Sequence, residues 1–211
     1  MRELLETRGW VRVPNISTRA ALVELAFSIG LPVPSPTGEL VKELRIAGGA
    51  AKPNTFSAIH GRGAFPLHTD TAFWPLQARY LVLRAYGDTR RCTIVQTFES
   101  LLNQFDEGTS RLAANSLWLS QNDRTRFYCS MKGQVGTSIA WRYDHNCMSP
   151  VNRAALELRE SLDARLSSCL TESIDWSGEE AAVLANWRVL HGRGPAPTGE
   201  GLRILERIYV R

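Results

Sequence analysis

Phe65-Pro66-Leu67-His68-Thr69-Asp70 is the stretch that decides how the rest of the chain is read. As an extended strand it sends successive side chains to alternate faces, so His68 and Asp70 point the same way. An imidazole and a carboxylate two residues apart on one face can both reach a single ion. A second histidine, His191, lies far downstream, beyond the apolar, strand-like run Ala181-Ala182-Val183-Leu184. Two histidines and one carboxylate occupy one face of a metal and leave the opposite face open. A His-x-Asp pair also arises by chance in a chain this long, so its accompaniment matters.

Around that stretch, strands dominate. Thr55–Ile59, Arg79–Arg84 and Cys92–Gln96 read as strands, as do Ser116–Ser120, Arg124–Met131 and Thr137–Tyr143. Further strands are expected over Ala181–Asn186 and Leu202–Val210. Toward the N-terminus, Glu3–Arg8 suggests a short helix and Trp10–Val13 a half-buried strand. Ser17 or Thr18 can cap a helix to about Ile29, with Leu22, Leu25, Ala26 and Ile29 on one face. A proline-rich loop and a strand over Glu39–Ile46 follow. Phe98–Phe105 and Ser110–Ala114 read as helices. Ser149-Pro150 suggests a cap and a first-turn proline opening the longest helix, faced by Val151, Ala155, Leu158, Leu162 and Leu166. Many short strands with inserted helices predict a mainly β, α+β fold: a double-stranded β-helix (jelly roll) with flanking helices. No Gly-x-Gly-x-x-Gly opens a helix, which argues against a Rossmann-like sheet.

Composition sets the bounds. The 211 residues suit one domain, residues 1–211, with a sizeable core. Hydrophobic content of 44% and charged content of 22% are ordinary for a globular protein. No apolar run approaches the roughly 20 residues that span a bilayer, and no secretory signal core is visible at the N-terminus. Cys92, Cys129, Cys147 and Cys169 lie far apart and lack Cys-x-x-Cys spacing, which argues against a zinc ribbon and a disulfide framework. A cytoplasmic location and no membrane partner are expected. The net charge of +4 comes from arginines spread along the chain. Without a clustered basic face, a nucleic-acid partner is not expected.

The downstream block Asn186-Trp187-Arg188-Val189-Leu190-His191-Gly192-Arg193 is followed by a Gly/Pro-rich turn and by Gly201-Leu202-Arg203-Ile204-Leu205-Glu206-Arg207. A hairpin would return Arg203 beside the metal. With one carboxylate and two neutral imidazoles, Fe(II) keeps one positive charge, which suits chelation by a keto acid. A dicarboxylate brings a second negative charge that a planar arginine can accept through two hydrogen bonds.

With these residues in place, the chain resembles the Fe(II)/2-oxoglutarate-dependent oxygenases of the taurine dioxygenase type. The resemblance runs through His68-Thr69-Asp70, the strand Arg79–Arg84, Thr93, the Asn186–Arg193 block and Arg203–Arg207, and so covers roughly residues 55 to 211. It implies that His68, Asp70 and His191 bind Fe(II), that Arg203 holds the distal carboxylate of 2-oxoglutarate, and that Thr93 assists. Arg207 faces the same side as Arg203 if the strand stays regular. The implied reaction couples O2 and 2-oxoglutarate to oxidation of an unactivated C–H bond in a small molecule, releasing succinate and CO2. Asp70 fills the place that related halogenases leave open, which favours hydroxylation or a variant such as desaturation. The chain is shorter than typical members between Thr93 and His191, where insertions supply lid and subunit contacts.

Other side chains are weaker candidates. Arg142, in Trp141-Arg142-Tyr143-Asp144, can anchor an anionic substrate or serve structurally beside Asp144. Phe73 and Trp74 can roof the site or pack in the core. His60 and His145 lack partners at ligand spacing and read as surface or hydrogen-bonded histidines. Two rival functions carry the same features: a nucleic-acid- or protein-modifying oxygenase, and a cupin-like metal barrel that is not an oxygenase. Arg203 separates the last from the main reading, because such a barrel needs no second carboxylate clamp.

Overall fold

The computed structural model describes residues 1–45, 60–61, 63–86, 91–166, 169–176, 179–194 and 204–211. Five helices are described: α1 (Arg2–Thr7), α2 (Arg19–Ile29), α3 (Phe98–Leu102), α4 (Glu107–Asn115) and α5 (Arg153–Leu166). The strands divide among antiparallel sheets. The larger sheet runs β1 (Trp10–Pro14), β13 (Glu180–Ala185), β5 (Tyr80–Tyr86), β15 (Ile204–Val210) and β2 (Pro32–Val33), with β3 (Lys42–Arg45) also on β15. A four-stranded sheet runs β12 (Glu172–Ile174), β6 (Thr93–Thr97), β14 (Val189–Arg193) and β4 (Phe65–His68). A three-stranded sheet, β11 (Met148–Pro150), β7 (Leu117–Gln121) and β8 (Arg126–Ser130), and the hairpin of β9 (Lys132–Val135) with β10 (Ser138–Trp141) complete it.

Side-chain alternation along the strands builds three apolar layers. On β5, Val82 packs with Leu22, Leu25 and Ala26 of α2, while Leu81 and Leu83 face the other way. There they meet Val95 of β6, Val189 of β14 and Ile174 of β12, so the two larger sheets share one core face to face. The far side of the smaller sheet, with Leu67 and Leu190, is covered by Trp118, Met148 and the α5 residues Leu158 and Leu162. Alternation therefore turns His68 and His191 inward, opposite to Leu67 and Leu190.

Local chemistry explains most boundaries. Thr18 caps α2 by accepting from Ala21 N at 3.1 Å. The longest helix, however, starts later than Ser149-Pro150 suggests. Those two residues pair with β7 instead, and Asn152 accepts the Ala155 N–H at 3.0 Å. Val151 consequently stays outside the helix and half exposed. The proline-rich segment contributes the short strand β2, because Pro32 and Val33 sit at the edge of the sheet against β15. The strand expected over Thr55–Ile59 lies outside the described residues.

Candidate metal centre

His68 ends β4 and His191 sits in β14, paired directly across the ladder. The ladder shifts register between His191 and Arg193, at Gly192. A Cβ on Gly192 would stand 2.5 Å from the Phe65 carbonyl oxygen. Only glycine lets the two backbones approach this closely.

Asp70 reaches the histidines by a route other than the strand alternation expected from sequence. β4 stops at His68, and Asp70 lies in the following turn. Its backbone is held by Asn186, which is fully buried. Asn186 Oδ1 accepts from Asp70 N at 2.9 Å, and its Nδ2 donates to Asp70 O at 3.0 Å and Ala78 O at 2.8 Å. Gln77 adds a hydrogen bond to Thr69 Oγ1 at 3.0 Å. The next residue, Thr71, has φ of 58°, a left-handed conformation that a β-branched side chain adopts under strain.

One ligand atom from each of His68, Asp70 and His191 lies within 4.8 Å of the others, and all three residues are buried. His68 Nε2 is 3.8 Å from Asp70 Oδ1, and His191 Nε2 is 3.6 Å from Asp70 Oδ2. Such spacings suit donors that share one ion with bonds of about 2.1 Å. His68 Nδ1 lies 2.9 Å from Pro66 O, which assigns the proton to Nδ1 and leaves the Nε2 lone pair for a ligand. His191 Nδ1 is buried and has no hydrogen-bond partner among the described residues.

Arg207 donates from Nη1 to Asp70 Oδ2 at 2.8 Å and lies 4.5 Å over the Tyr209 ring. Burial alone would raise the Asp70 carboxyl, but Arg207, His191 and His68 outweigh it and hold it far below the usual carboxylate range. Burial, helped by the neighbouring His191, pushes His68 down to about 4 against the pull of Asp144 and Asp70. Asp70 and His68 are thus unprotonated near neutrality, the state a cation requires.

These groups open into a cavity of about 420 Å³. Thr93, Phe73 and Arg207 line it with the three donors, alongside Leu83, Leu205 and Tyr209. Thr93 is buried, and its hydroxyl accepts from Trp176 Nε1 at 3.2 Å. Arg203 lies outside the described residues. Trp74 does not line the cavity; it packs edge-on against Tyr209 at 5.3 Å, behind the wall. Arg142 is likewise absent from the lining and makes no ion pair with Asp144 among the described residues. Its guanidinium turns to the carbonyls of the turn after Asp70. His60 contacts the Phe65 ring edge, and His145 sits on the surface near Arg159 and Asp163, so neither joins the cluster.

Asn186, Gln77 and Tyr209 are the contributors that residue typing overlooks. The sequence signal for Asn186 is a lone amide closing the apolar run of β13.

No family model matches the chain, and no curated protein matches it significantly. Solved structures do. An asparagine oxygenase in complex with Fe(II), 2S,3S-3-hydroxyasparagine and succinate superposes with a TM-score of 0.76 at 16% identity, covering 99% of this chain and 77% of that one. The non-haem iron oxygenase OrfP, in complex with Fe and α-ketoglutaric acid, gives 0.74 at 18% identity, over 99% and 76%. PvcB from Pseudomonas aeruginosa gives 0.72 at 18% identity, over 100% and 78%. The chain therefore has the fold of these proteins, two of them iron oxygenases by description.

Proposed function

We propose that the chain, residues 1–211, is one double-stranded β-helix domain: a short oxygenase of the taurine dioxygenase type, dependent on Fe(II) and 2-oxoglutarate. The observation that carries this is the buried His68–Asp70–His191 cluster on one side of a cavity, on a fold shared with iron oxygenases. The donor set, two imidazole nitrogens and a carboxylate with an open side, fits non-haem Fe(II). Iron bound there with 2-oxoglutarate and O2 would supply oxidation of an unactivated C–H bond, coupled to decarboxylation of the keto acid to succinate and CO2.

The protein's own residues supply position and charge. Asp70 and the two histidines hold the metal. Arg203 is assigned to the distal carboxylate of 2-oxoglutarate, with Thr93 at the cavity wall assisting. Arg207 compensates the Asp70 charge, and its buried Nε has no hydrogen-bond partner among the described residues, an N–H that an incoming anion would satisfy. Phe73, Leu83, Leu205 and Tyr209 give the cavity apolar walls that exclude water from the reacting carbon.

The substrate is proposed to be a small, anionic or amino-acid-like molecule, since the structural neighbours are described with hydroxyasparagine and hydroxyarginine. Hydroxylation is the expected outcome. The cysteines described are all unpaired, in keeping with a reducing cytoplasm, and no described helix is long and apolar enough to cross a membrane. The test is succinate release with Fe(II), O2 and 2-oxoglutarate across a panel of amino acids and small carboxylates. Substrate-stimulated release that His68→Ala, Asp70→Ala and His191→Ala each abolish supports the assignment. Undiminished release in all three removes it.

A further inference from the structure

The turn that carries Asp70 into the cavity is fastened by a cation that has no carboxylate partner among the described residues. Arg142 is buried. Its Nη1 donates to Ala72 O and, at 2.6 Å, to Trp74 O, while Nη2 donates to Pro75 O at 3.0 Å. The guanidinium lies 5.1 Å from the Phe127 ring centroid. Among the described residues it makes no ion pair, and burial disfavours its charge. Ordinary turns are closed by backbone hydrogen bonds or short polar side chains. A buried cation gathering several carbonyls is a costly way to close one.

The same turn is tied at neighbouring points. Ser120 Oγ donates to Ala72 O at 2.9 Å, and Thr125 Oγ1 donates to Phe73 O at 2.7 Å. Ser120 lies in β7 and Thr125 directly precedes β8, whereas Arg142 directly follows β10 of the neighbouring hairpin. The strained Thr71 links the two halves. A strained residue persists only where its surroundings fix it from both ends. Asn186 fixes the Asp70 end; Arg142 fixes the other. Phe73, a wall of the cavity, rides on the segment Arg142 holds.

We propose that Arg142 is a positioning residue of the metal centre, a cationic clamp that sets the 72–75 turn and through it the places of Asp70 and Phe73. The proposal rests on the metal-binding reading above. Groups that orient metal ligands without touching the metal typically contribute 10- to 100-fold in metal affinity. Lysine carries the charge, but its donors radiate from one nitrogen and cannot span these carbonyls as a planar fork does. The same clamp sets the Phe73 wall, so its loss should also disturb the cavity in the absence of metal.

The experiment is Co(II) titration of the full chain by visible absorption, with wild type, His191→Ala, Arg142→Ala and Arg142→Lys, alongside the melting temperature of each metal-free protein. Wild type should bind one Co(II) per chain and His191→Ala should not. Failure of that pair defeats the metal-centre reading itself. With that pair as expected, Arg142→Ala should bind Co(II) about 10- to 100-fold more weakly with an altered visible spectrum. Added guanidinium ion should restore the affinity in part. Arg142→Lys should fall between. Folded Arg142 variants that bind Co(II) with wild-type affinity and spectrum would overturn the proposal. Should Arg142→Ala not fold, Arg142→Lys decides by the same criterion.

Discussion

Arg207, half-buried, and Asp70, buried, form an ion pair, Nη1 to Oδ2 at 2.8 Å, on the carboxylate that also faces His68 and His191. Together with His191 and His68, the cation lowers the Asp70 carboxyl against burial, which alone would raise it. Arg207 is therefore the counter-charge of the ligand-free protein. A divalent metal would supply positive charge at the same carboxylate.

That substitution of one cation for another is measurable. Arg207→Ala should destabilise the metal-free protein by about 3 kcal/mol, because it leaves a buried carboxylate unpaired. Saturating Co(II) should recover more stability in the variant than it adds to wild type. Thermal denaturation with and without Co(II) checks both parts. Equal metal-induced shifts in the two proteins would show that Arg207 does not share the Asp70 charge.

Asn186 makes a second, separable prediction. Its amide satisfies Asp70 N, Asp70 O and Ala78 O from a fully buried position. Asn186→Ala should cost at least about 2 kcal/mol, since each buried group left unsatisfied costs about 1–3 kcal/mol. Denaturant unfolding measures it. A loss under about 0.5 kcal/mol, in the range of ordinary surface changes, would mean that the turn is held elsewhere.

The assignment of Arg203 rests on the sequence and is tested by ligand choice. Two charge-assisted hydrogen bonds to the distal carboxylate contribute on the order of 1.5–3 kcal/mol each. Arg203→Ala should weaken 2-oxoglutarate by at least about 100-fold while leaving metal affinity unchanged. Pyruvate, which lacks the distal carboxylate, should be indifferent to the change. Unaltered 2-oxoglutarate affinity would move the role to Arg207.

On the far side of the larger sheet, Arg84 and Glu206 are both buried, with Arg84 Nε 2.9 Å from Glu206 Oε2 and Arg19 Nε 2.7 Å from Oε1. Arg84→Ala should cost about 1–3 kcal/mol, since it leaves Oε2 unsatisfied while Arg19 still pairs with Oε1, read from the denaturation midpoint. Because the pair faces α2 rather than the cavity, Co(II) affinity should not follow.

Much of this was legible in residue type and spacing. The β-rich architecture follows from short alternating runs, and the His68, Asp70 and His191 cluster from a motif and one distant histidine. The register that pairs His68 with His191 depends on Gly192 and on backbone approach, which no local pattern displays. Asp70 was expected on a strand face and lies in a turn, since long-range hydrogen bonds from Asn186 override the alternation. Arg142 and Trp74 drew attention as pocket residues because arginine and tryptophan often are. Whether such a side chain faces a cavity or the carbonyls of a turn depends on tertiary contacts tens of residues apart. Pro150 shows the same limit, as strand pairing to β7 won over its helix-start preference.

The central claim, that His68, Asp70 and His191 hold an iron able to take a chelating keto acid, meets its most direct test in an anaerobic titration. Fe(II)-loaded protein is mixed with 2-oxoglutarate and the visible spectrum recorded. Wild type should develop the weak charge-transfer band of a chelated keto acid, saturating at one 2-oxoglutarate per chain, and Asp70→Gly should diminish or shift it. A folded, iron-loaded wild-type protein that shows no band would contradict the account.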